Sequence, residues 1–562
     1  NIKNNPILKQ KSSKDDLTMR VCMGIIGLFL AIAIILPLYT MFSKSLENKE
    51  GNFIGINNYI DYFSTPALFQ SAYNSILISI IGTIIVLLFA FIYAYALTRT
   101  KMPFKWFFKI IAIIPLLTPS MLSGISLVYW FGNQGIAKSF LMGESIFGPI
   151  CIVMGSVYWV FPHALMIIIT ALSITDARLY EAATALRTSK IKTFFMVTIP
   201  NCKFGLISAG FVVFTLIFTD FGVPKVIGGS YNVLATDIYK QVIGQQNFQM
   251  GAVVAVVLLT PAIIAFSVDR FVQRKQVALL SASAVPYQPK KNKSLDLTML
   301  IFCSFVAFLI ICMIGMAQYA AIIKFWPYNL SFTLENFNFD LIEGGGWGSY
   351  FNSIKLSVYS ALVGSILIFF GAYLVEKGRG FNFGRNTFHG VAMIPLAVPG
   401  MALGLAYIFF FNNPNNPLSF LYGTMGILVI STITHFYTVS HLTATTALKQ
   451  MDKEFESVSA SLKTPFFRSF KKITVPICMP AILDISVYLF LNAMTTVSAV
   501  IFLYSADTRL ASIAVLNMDD QGELAMAAAM AMMIAYTCGG VRILYAIGTN
   551  SILVKTQRWR FK

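Results

Sequence analysis

The chain has 562 residues, of which 57% are apolar or aromatic and only 12% are charged. Because soluble domains carry about a quarter charged residues, this composition excludes a soluble enzyme, a disordered protein and a small disulfide-stapled domain. The formal net charge is +18, from 42 Lys and Arg against 24 Asp and Glu. In a soluble protein such a surplus would indicate nucleic-acid binding, so the positions of the charges decide its meaning.

Twelve apolar runs are long enough to cross a bilayer as helices, which takes about 20 residues each. The runs are continuous rather than alternating, which excludes the strands of a membrane barrel. The predicted spans are residues 21–42, 72–97, 106–131, 147–172, 204–220, 251–268, 298–323, 352–376, 390–411, 424–448, 477–503 and 524–547. The sequence therefore predicts an all-α polytopic membrane protein with twelve transmembrane helices.

The basic residues are concentrated in alternate loops. The loops on one side of the predicted membrane, together with both chain ends, hold 34 of the 42 Lys and Arg and carry a net charge of +23. The other side carries −5. Basic loops stay in the cytoplasm, so both termini are predicted to be cytoplasmic. The charge surplus is a topology signal, and no nucleic-acid partner is expected.

Neither the N-terminal segment nor the cysteines indicate processing or metal binding. Residues 1–20 are basic and lead into an apolar run too long for a signal peptide, so we expect a retained first span. The seven cysteines include no C-x-x-C pair, which argues against a disulfide framework or a zinc site. They are predicted to pack as small apolar side chains, and no metal site is predicted.

The two halves of the chain match at an offset of 276 to 280 residues. Asn74-Ser75 matches Asn352-Ser353, and the motif with Pro115 and Pro119 matches the one with Pro395 and Pro399. Such self-similarity indicates a tandem duplication. Each copy has an even number of spans, so both copies share one orientation, which disfavours carriers built from inverted repeats.

The duplication predicts six segments. They are an N-terminal cytoplasmic segment with the first span and an outer loop (1–71), a first core (72–270), a cytoplasmic linker (271–297), the seventh span with an outer loop (298–351), a second core (352–548) and a basic cytoplasmic tail (549–562).

A short amphipathic helix is predicted in the same cytoplasmic loop of each half. In the first half Ser173 and Asp176 form a candidate capping box, followed by an apolar stripe of Leu179, Ala182 and Leu186. In the second half the equivalents are Asp452 as candidate cap and the stripe Phe455, Val458 and Leu462. Such a helix can lie on lipid headgroups or simply close a loop, but its recurrence in one register favours docking in a groove of a partner.

Glu181-Ala182-Ala183, followed by Ile199-Pro200, resembles the EAA loop of importer-type ABC transporter permeases. That resemblance implies two tandem six-helix type-I permease units in a bacterial cell membrane. It also implies two copies of a cytoplasmic ABC ATPase that receive these helices and an extracytoplasmic substrate-binding protein. The ATPase-coupling positions it implies are Glu181, Ala182, Ala183, Arg187, Glu456, Ser457, Val458 and Lys463.

The second copy departs from the family's pattern. Ser457-Val458-Ser459 stands where the EAA residues are expected, and Arg187 and Lys463 stand at the position that usually holds Gly. We therefore predict that the second docking site is asymmetric or weaker.

No catalytic site is predicted in this chain. It contains no G-x-x-x-x-G-K-[ST] phosphate loop and no H-E-x-x-H motif, and its loops are too short for a nucleotide-binding domain. The chain is therefore expected to be a permease without a cofactor of its own, while ATP and Mg²⁺ bind a separate ATPase subunit.

Several ionisable and proline residues are candidates for the pathway. Asp220, Lys225, Pro119 and Pro399 are the pathway or gate candidates, since the prolines break spans and free backbone groups. Ordinary kinks and interfacial charges explain the same residues. His163, His435 and His441 are predicted to be packing histidines, and Asp484 is predicted to cap or pair at an inner helix end.

The run 218–252, together with Tyr93-Ala94-Tyr95 and Pro162-His163-Ala164, resembles the permease of 2-aminoethylphosphonate ABC importers. The related two-repeat ferric-iron permeases share Asp220-Phe221-Gly222. A phosphonate is therefore the expected cargo and ferric iron the alternative. Lys225 and Asp220 are the cation and anion expected to face a zwitterionic cargo. An ion-coupled secondary carrier and a structural membrane protein are the remaining hypotheses.

Overall fold

The computed structural model describes residues 14–141, 145–173, 175–279, 287–289, 291–341, 346–378, 381–451, 454–462 and 464–556. The first half contains α1 (Lys14–Leu30), α2 (Leu36–Ser45), α3 (Asn57–Ser64), α4 (Pro66–Arg99), α5 (Lys105–Ile113), α6 (Met121–Phe131), α7 (Pro149–Ser173), α8 (Ala177–Ala185), α9 (Lys190–Thr193), α10 (Ile199–Thr219), α11 (Gly222–Ile227), α12 (Leu234–Tyr239) and α13 (Phe248–Leu279).

The second half contains α14 (Lys293–Ile322), α15 (Trp347–Lys377), α16 (Asn382–Met393), α17 (Gly400–Phe411), α18 (Met425–His435), α19 (Tyr437–Lys449), α20 (Glu454–Ser461), α21 (Phe466–Ser469), α22 (Val475–Ile477), α23 (Met479–Thr495), α24 (Ala511–Asp520) and α25 (Leu524–Thr556). Strands β1 (Ile323–Phe325) and β2 (Asn329–Phe332) form an antiparallel hairpin after α14. Short π-helical turns include Phe194–Thr198 and Phe470–Thr474.

Eight helices of the described chain are long and apolar enough to span a membrane, and four bent helix pairs raise the number to as many as twelve. The expected count of twelve is therefore reached when each bent pair is one span. The pair α5 and α6 bends by 103°, and the equivalent pair α16 and α17 bends by 112°. Pro115 lies in the turn Ile114–Leu117 between α5 and α6, and Pro399 directly precedes α17, because proline cannot continue a helix.

The predicted span 477–503 is wrong at its far end. α23 stops at Thr495, and the apolar residues that follow form turns rather than helix. Ala499, Val500 and Leu503 are fully buried there, so their hydropathy reflects protein packing and not a longer span. Hydropathy alone does not distinguish these two environments.

Helices extend into the predicted linker and the predicted tail. α13 continues to Leu279 and α14 begins at Lys293, so helix occupies much of the predicted linker 271–297. Likewise α25 continues to Thr556, into the predicted tail. A helix can therefore continue through a stretch of charged residues, so the change in composition does not mark the end of the helix.

The first span of each half packs against helices of the other half. Residues Met19, Leu30 and Ile34 of the first span pack in a core with α15 and α19, whereas Cys303 and Val306 of α14 pack with α4 and α7. Hydrogen bonds join the same surfaces. The Tyr407 hydroxyl donates to the Ala33 carbonyl at 2.8 Å, and the Trp130 indole donates to the Cys312 carbonyl at 3.1 Å. The two repeats are therefore held together by exchanged helices.

Candidate functional site

The predicted cytoplasmic helix of the first half is α8. Asp176 is its N-cap, since its carboxylate accepts the Arg178 amide at 3.0 Å and also pairs with the Arg178 guanidinium at 2.6 Å. The predicted capping box is wrong, because Ser173 belongs to the end of α7 and its hydroxyl donates to the Ile169 carbonyl. Asp176 alone begins α8.

The C-terminal end of α8 explains why Gly is usual at the position of Arg187. Arg187 has a φ of 51°, in the left-handed region that favours glycine. Its amide donates to the Thr184 carbonyl and the Thr188 amide donates to the Ala183 carbonyl, at 3.0 and 3.1 Å. These two bonds form a Schellman motif. Arg187 therefore ends the helix as Gly would, with backbone strain that Gly would not have.

α8 exposes the face that the sequence singles out. Glu181 and Ala182 are exposed, whereas Ala183 is buried and faces the rest of the protein. Leu179 and Leu186, from the predicted apolar stripe, are 44% and 77% exposed. Two large apolar side chains beside an exposed carboxylate form a surface suited to a protein partner.

The turn that follows α8 holds it against the base of two spans. The Tyr180 hydroxyl lies 3.0 Å from the Thr198 hydroxyl, just before α10 begins. In the same turn the ring of Phe194 packs edge-on against Phe91 and Tyr95 of α4, with centroids 5.9 and 5.8 Å apart. Tyr180 and Phe194 thereby connect α8 and the turn after it to α10 and α4.

The equivalent helix of the second half is α20. Phe455, Val458 and Leu462 are 37%, 58% and 72% exposed, so this apolar stripe is also uncovered. The Thr464 amide donates to the Ser459 carbonyl at 3.0 Å, which repeats the bond from Thr188 to Ala183.

Some predicted coupling residues of the second half cannot be placed in the same detail. Glu456 and Ser457 belong to α20, but their side chains lie outside the described part of the chain. Lys463 and Asp452 lie outside the described residues altogether.

The base of the second loop has its own supports. Phe470 packs against Phe369, Phe370 and Tyr373 of α15, with centroids 6.0, 5.3 and 4.7 Å apart, as Phe194 packs on α4. The Asp15 carboxylate of α1 accepts the Phe466 amide at 3.1 Å, at the start of α21. The N-terminal helix therefore caps α21, in the loop that follows α20.

Asp220 and Lys225 lie beyond the end of α10 that is far from α8, but they do not pair with each other. Asp220 caps α11, accepting the amides of Gly222 and Val223 at 3.3 and 3.0 Å. Lys225 pairs with Asp520 of α24 at 2.8 Å and lies 5.3 Å from the centre of the Tyr239 ring. The carboxylate beside Lys225 therefore comes from the other repeat, and the sequence did not indicate this partner.

The Asp519 carboxyl lies beside this ion pair. Its pKa is raised to about 7, mainly by burial and also by the neighbouring Asp520 carboxylate, while the Lys225 ammonium opposes the rise. Pro119 and Pro399 are both buried, so in this structure they shape the two bends and face no open water.

The duplicated Asn-Ser pair has a structural task that sequence reasoning did not identify. The hydroxyl of Ser75 accepts the first amide of α12, from Leu234, and the hydroxyl of Ser353 accepts the first amide of α24, from Ala511, both at 2.8 Å. Each serine thus caps a helix about 158 residues away in its own repeat. The signal for this role in the sequence was the repetition, because the Asn-Ser pair occurs at equivalent positions in both copies.

The remaining candidates serve packing. His441 is fully buried with its Nε2 3.2 Å from Nδ1 of His389, a pair the sequence did not predict. Asp484 accepts a hydrogen bond from the Tyr545 hydroxyl, as the expected pairing at a helix end requires. All seven cysteines are free thiols, and the described residues contain no group of three or more His, Cys, Asp or Glu suited to a metal ion.

The twofold arrangement of spans, with an exposed coupling-type helix in each repeat, defines the class of ABC importer permeases. The family model for the binding-protein-dependent transport system inner membrane component matches residues 94–277 and again 368–548. The chain belongs to this family, with the domain present twice. It is a permease subunit, so ATP hydrolysis belongs to a separate subunit and a substrate-binding protein is a further partner.

The chain is similar in sequence to known permeases. A ferric transport system permease protein of Actinobacillus pleuropneumoniae is 28% identical over 486 residues, covering 84% of this chain and 69% of that protein. An Fe(3+)-transport system permease protein of Haemophilus influenzae is 23% identical over 491 residues, covering 86% and 91%. A spermidine/putrescine transport system permease protein of the same organism is 25% identical over 251 residues, covering 42% and 87%.

Proposed function

We propose that this chain forms the complete pathway of an ATP-driven importer for 2-aminoethylphosphonate or a similar phosphonate. The observation that carries the proposal is the ion pair between Lys225 and Asp520, which joins the two repeats at the end opposite the coupling helices. Both termini face the cytoplasm of a bacterial cell, and the substrate-binding protein delivers cargo on the side of this ion pair.

Two ATPase copies drive the cycle, one on each coupling helix. The exposed apolar stripes of α8 and α20 support this arrangement, because each offers an apolar face that the described chain leaves uncovered. Glu181, Ala182 and Arg187 contact the first ATPase, and Glu456, Ser457, Val458 and Lys463 contact the second, while the buried Ala183 fits α8 closely to the permease. ATP and Mg²⁺ bind the ATPase subunits.

The ion pair suits a zwitterionic cargo. A phosphonate group can replace Asp520 at the Lys225 ammonium, and an ammonium group can replace Lys225 at the Asp520 carboxylate, so neither charge is left unpaired as cargo passes. Both side chains are partly exposed, at 22% for Lys225 and 44% for Asp520. Asp220 contributes indirectly by capping α11, the helix that carries Lys225.

Ferric iron is the second candidate, favoured by the ferric permeases among the relatives. The Lys225 ammonium disfavours it, because a trivalent cation is repelled by a cation at the gate. Asp519 and Asp520 would have to outweigh that repulsion.

Transport by the reconstituted complex decides between these cargoes. The permease is placed in proteoliposomes with its ATPase and its binding protein, and uptake of labelled 2-aminoethylphosphonate and of ferric iron is measured with and without ATP. We expect ATP-dependent uptake of the phosphonate only. ATP-dependent uptake of iron alone would replace the cargo, and uptake without ATP would overturn the importer mechanism.

Variants of the ion pair test the role of the gate. Lys225→Ala and Asp520→Ala should each raise the apparent KM for the phosphonate about tenfold, since each leaves one charge of the cargo without a partner. Lys225→Arg should keep most of the affinity. Lys138→Ala, which removes an exposed cation elsewhere, serves as the control. An unchanged KM in both alanine variants would exclude the proposed contact.

A further inference from the structure

A buried cation lies under the first coupling helix. Arg99, the last residue of α4, is only 6% exposed, and its guanidinium donates to the Leu172 carbonyl at 2.7 Å. The guanidinium carbon lies 5.3 Å from the centre of the Tyr180 ring and 4.6 Å from the centre of the Tyr287 ring. The two tyrosine rings are themselves 4.6 Å apart.

Three separate parts of the chain meet at this cluster. Arg99 ends α4, Tyr180 belongs to α8, and Tyr287 belongs to the stretch between the two repeats. A buried guanidinium needs compensation beyond one carbonyl, and its Nε atom has no hydrogen-bond partner in the described structure. The two aromatic faces supply that compensation, because a cation is attracted to the negative face of a ring.

The second half does not repeat this cluster. By the offsets of the duplication, Lys377 stands at the position of Arg99 and Glu456 at the position of Tyr180. The second coupling loop is held instead by Asp15 of α1. Because the second repeat has no aromatic residue at the position of Tyr180, the common architecture of the two repeats does not explain the contact of Arg99 with Tyr180.

We propose that Tyr287 is a positioning residue that latches the connection between the repeats onto the first coupling helix. With Tyr287 in place, Arg99 is clamped between two rings and α8 is held to the end of α4. A push from the ATPase on α8 then reaches α4 without loss. Without Tyr287, α8 shifts against α4 and ATP is hydrolysed with less transport. The latch rests on the proposed ABC function for its effect on transport, but not for its existence.

The first test compares variants of Tyr287 in the complete complex with its ATPase and binding protein. Tyr287→Leu keeps apolar bulk but removes the aromatic face, and we expect the ratio of cargo imported to ATP hydrolysed to fall about fivefold. Tyr287→Phe keeps the ring and should stay near the wild-type ratio. Gln288→Ala, at an exposed neighbouring residue, is the matched control. An unchanged ratio for Tyr287→Leu would overturn the positioning role.

The second test detects the contact of Tyr287 by proteolysis, without measuring transport. Trypsin sites lie on both sides of Tyr287, at Arg274, Lys275, Lys290 and Lys291. In the purified full chain, cleavage within 274–291 should be about fivefold faster for Tyr287→Leu than for wild type, and Tyr287→Phe should match wild type. Equal cleavage of Leu and Phe variants would overturn the latch even if the transport function stands. Faster cleavage of the Leu variant with no ATP-driven uptake by wild type would keep the latch and reject the function.

Discussion

The two coupling helices α8 and α20 hold equivalent places in the repeats but are secured by different parts of the chain. α8 rests on the Arg99 guanidinium and Tyr287, which comes from the connection between the repeats. The loop of α20 is capped by Asp15, from the N-terminal helix. Both keep an aromatic anchor after the helix, Phe194 or Phe470. The aromatic anchor is thus common to both repeats. The other contacts that secure α8 and the loop of α20 come from different segments of the chain.

On the side of the molecule opposite α8 and α20, the two repeats share equivalent contacts. Ser75 and Ser353 cap α12 and α24 with the same geometry at the same distance. The serine caps are therefore shared by the two repeats, whereas the contacts that secure α8 and the loop of α20 differ.

Charge reversal in the two coupling helices should give the largest effect. Glu181→Lys places a cation in the exposed face of α8, and we expect ATP-driven uptake to fall more than about tenfold because the ATPase no longer docks. Glu456→Lys in α20 should reduce uptake less, about threefold, since the second copy lacks the EAA residues. Uptake by the reconstituted complex measures both.

Glu50→Lys provides the control for this experiment, since it makes the same charge change at an exposed residue of a loop away from α8. Equal losses for Glu181→Lys and Glu456→Lys would contradict the asymmetry of the two helices. No loss for Glu181→Lys would argue against docking at α8.

Loss of the two serine caps should be equally costly in both repeats. Ser75→Ala and Ser353→Ala each leave a buried helix amide without an acceptor, which costs about 1–3 kcal/mol of stability. Thermal unfolding of the purified chain is the measurement. Ser75→Thr, which keeps the hydroxyl, is the companion variant. Unequal shifts from the two alanine variants would show that the symmetry does not extend to energetics.

Removal of the Asp15 cap should affect the second coupling loop alone. Asp15→Ala frees the Phe466 amide at a cost of about 1 kcal/mol, so hydrogen exchange in α21 should accelerate while exchange in α8 stays the same. Asp15→Asn retains an acceptor oxygen and should behave like wild type. Faster exchange in both loops would indicate that they are coupled rather than separately held.

The smallest effect is expected at the end of α8. Arg187→Gly removes a side chain from a left-handed residue and should stabilise the helix end by about 1 kcal/mol. Slower hydrogen exchange at Thr188, whose amide closes the Schellman motif, is the readout. Arg187→Ala keeps the unfavourable φ and should bring no gain. Equal exchange in the Gly and Ala variants would mean that the backbone carries no strain there.

Hydropathy and periodicity determined much of this protein from the sequence. The spans, the duplication, the proline breaks and the exposed stripes of α8 and α20 are properties of residues close together in the chain, so a local pattern reveals them. The duplicated Asn-Ser pair was visible as well, although its capping role was not.

Only the tertiary structure decided which distant residues meet. The ion pair of Lys225 with Asp520 joins residues 295 positions apart, and the sequence around Lys225 did not indicate Asp520. The contacts of Tyr287 with Arg99 and of Asp15 with Phe466 were equally invisible, as was the exchange of first spans between the halves. In each case the packing of the helices determines which residue is the partner. The residues next to a charge or a ring in the sequence do not indicate that packing.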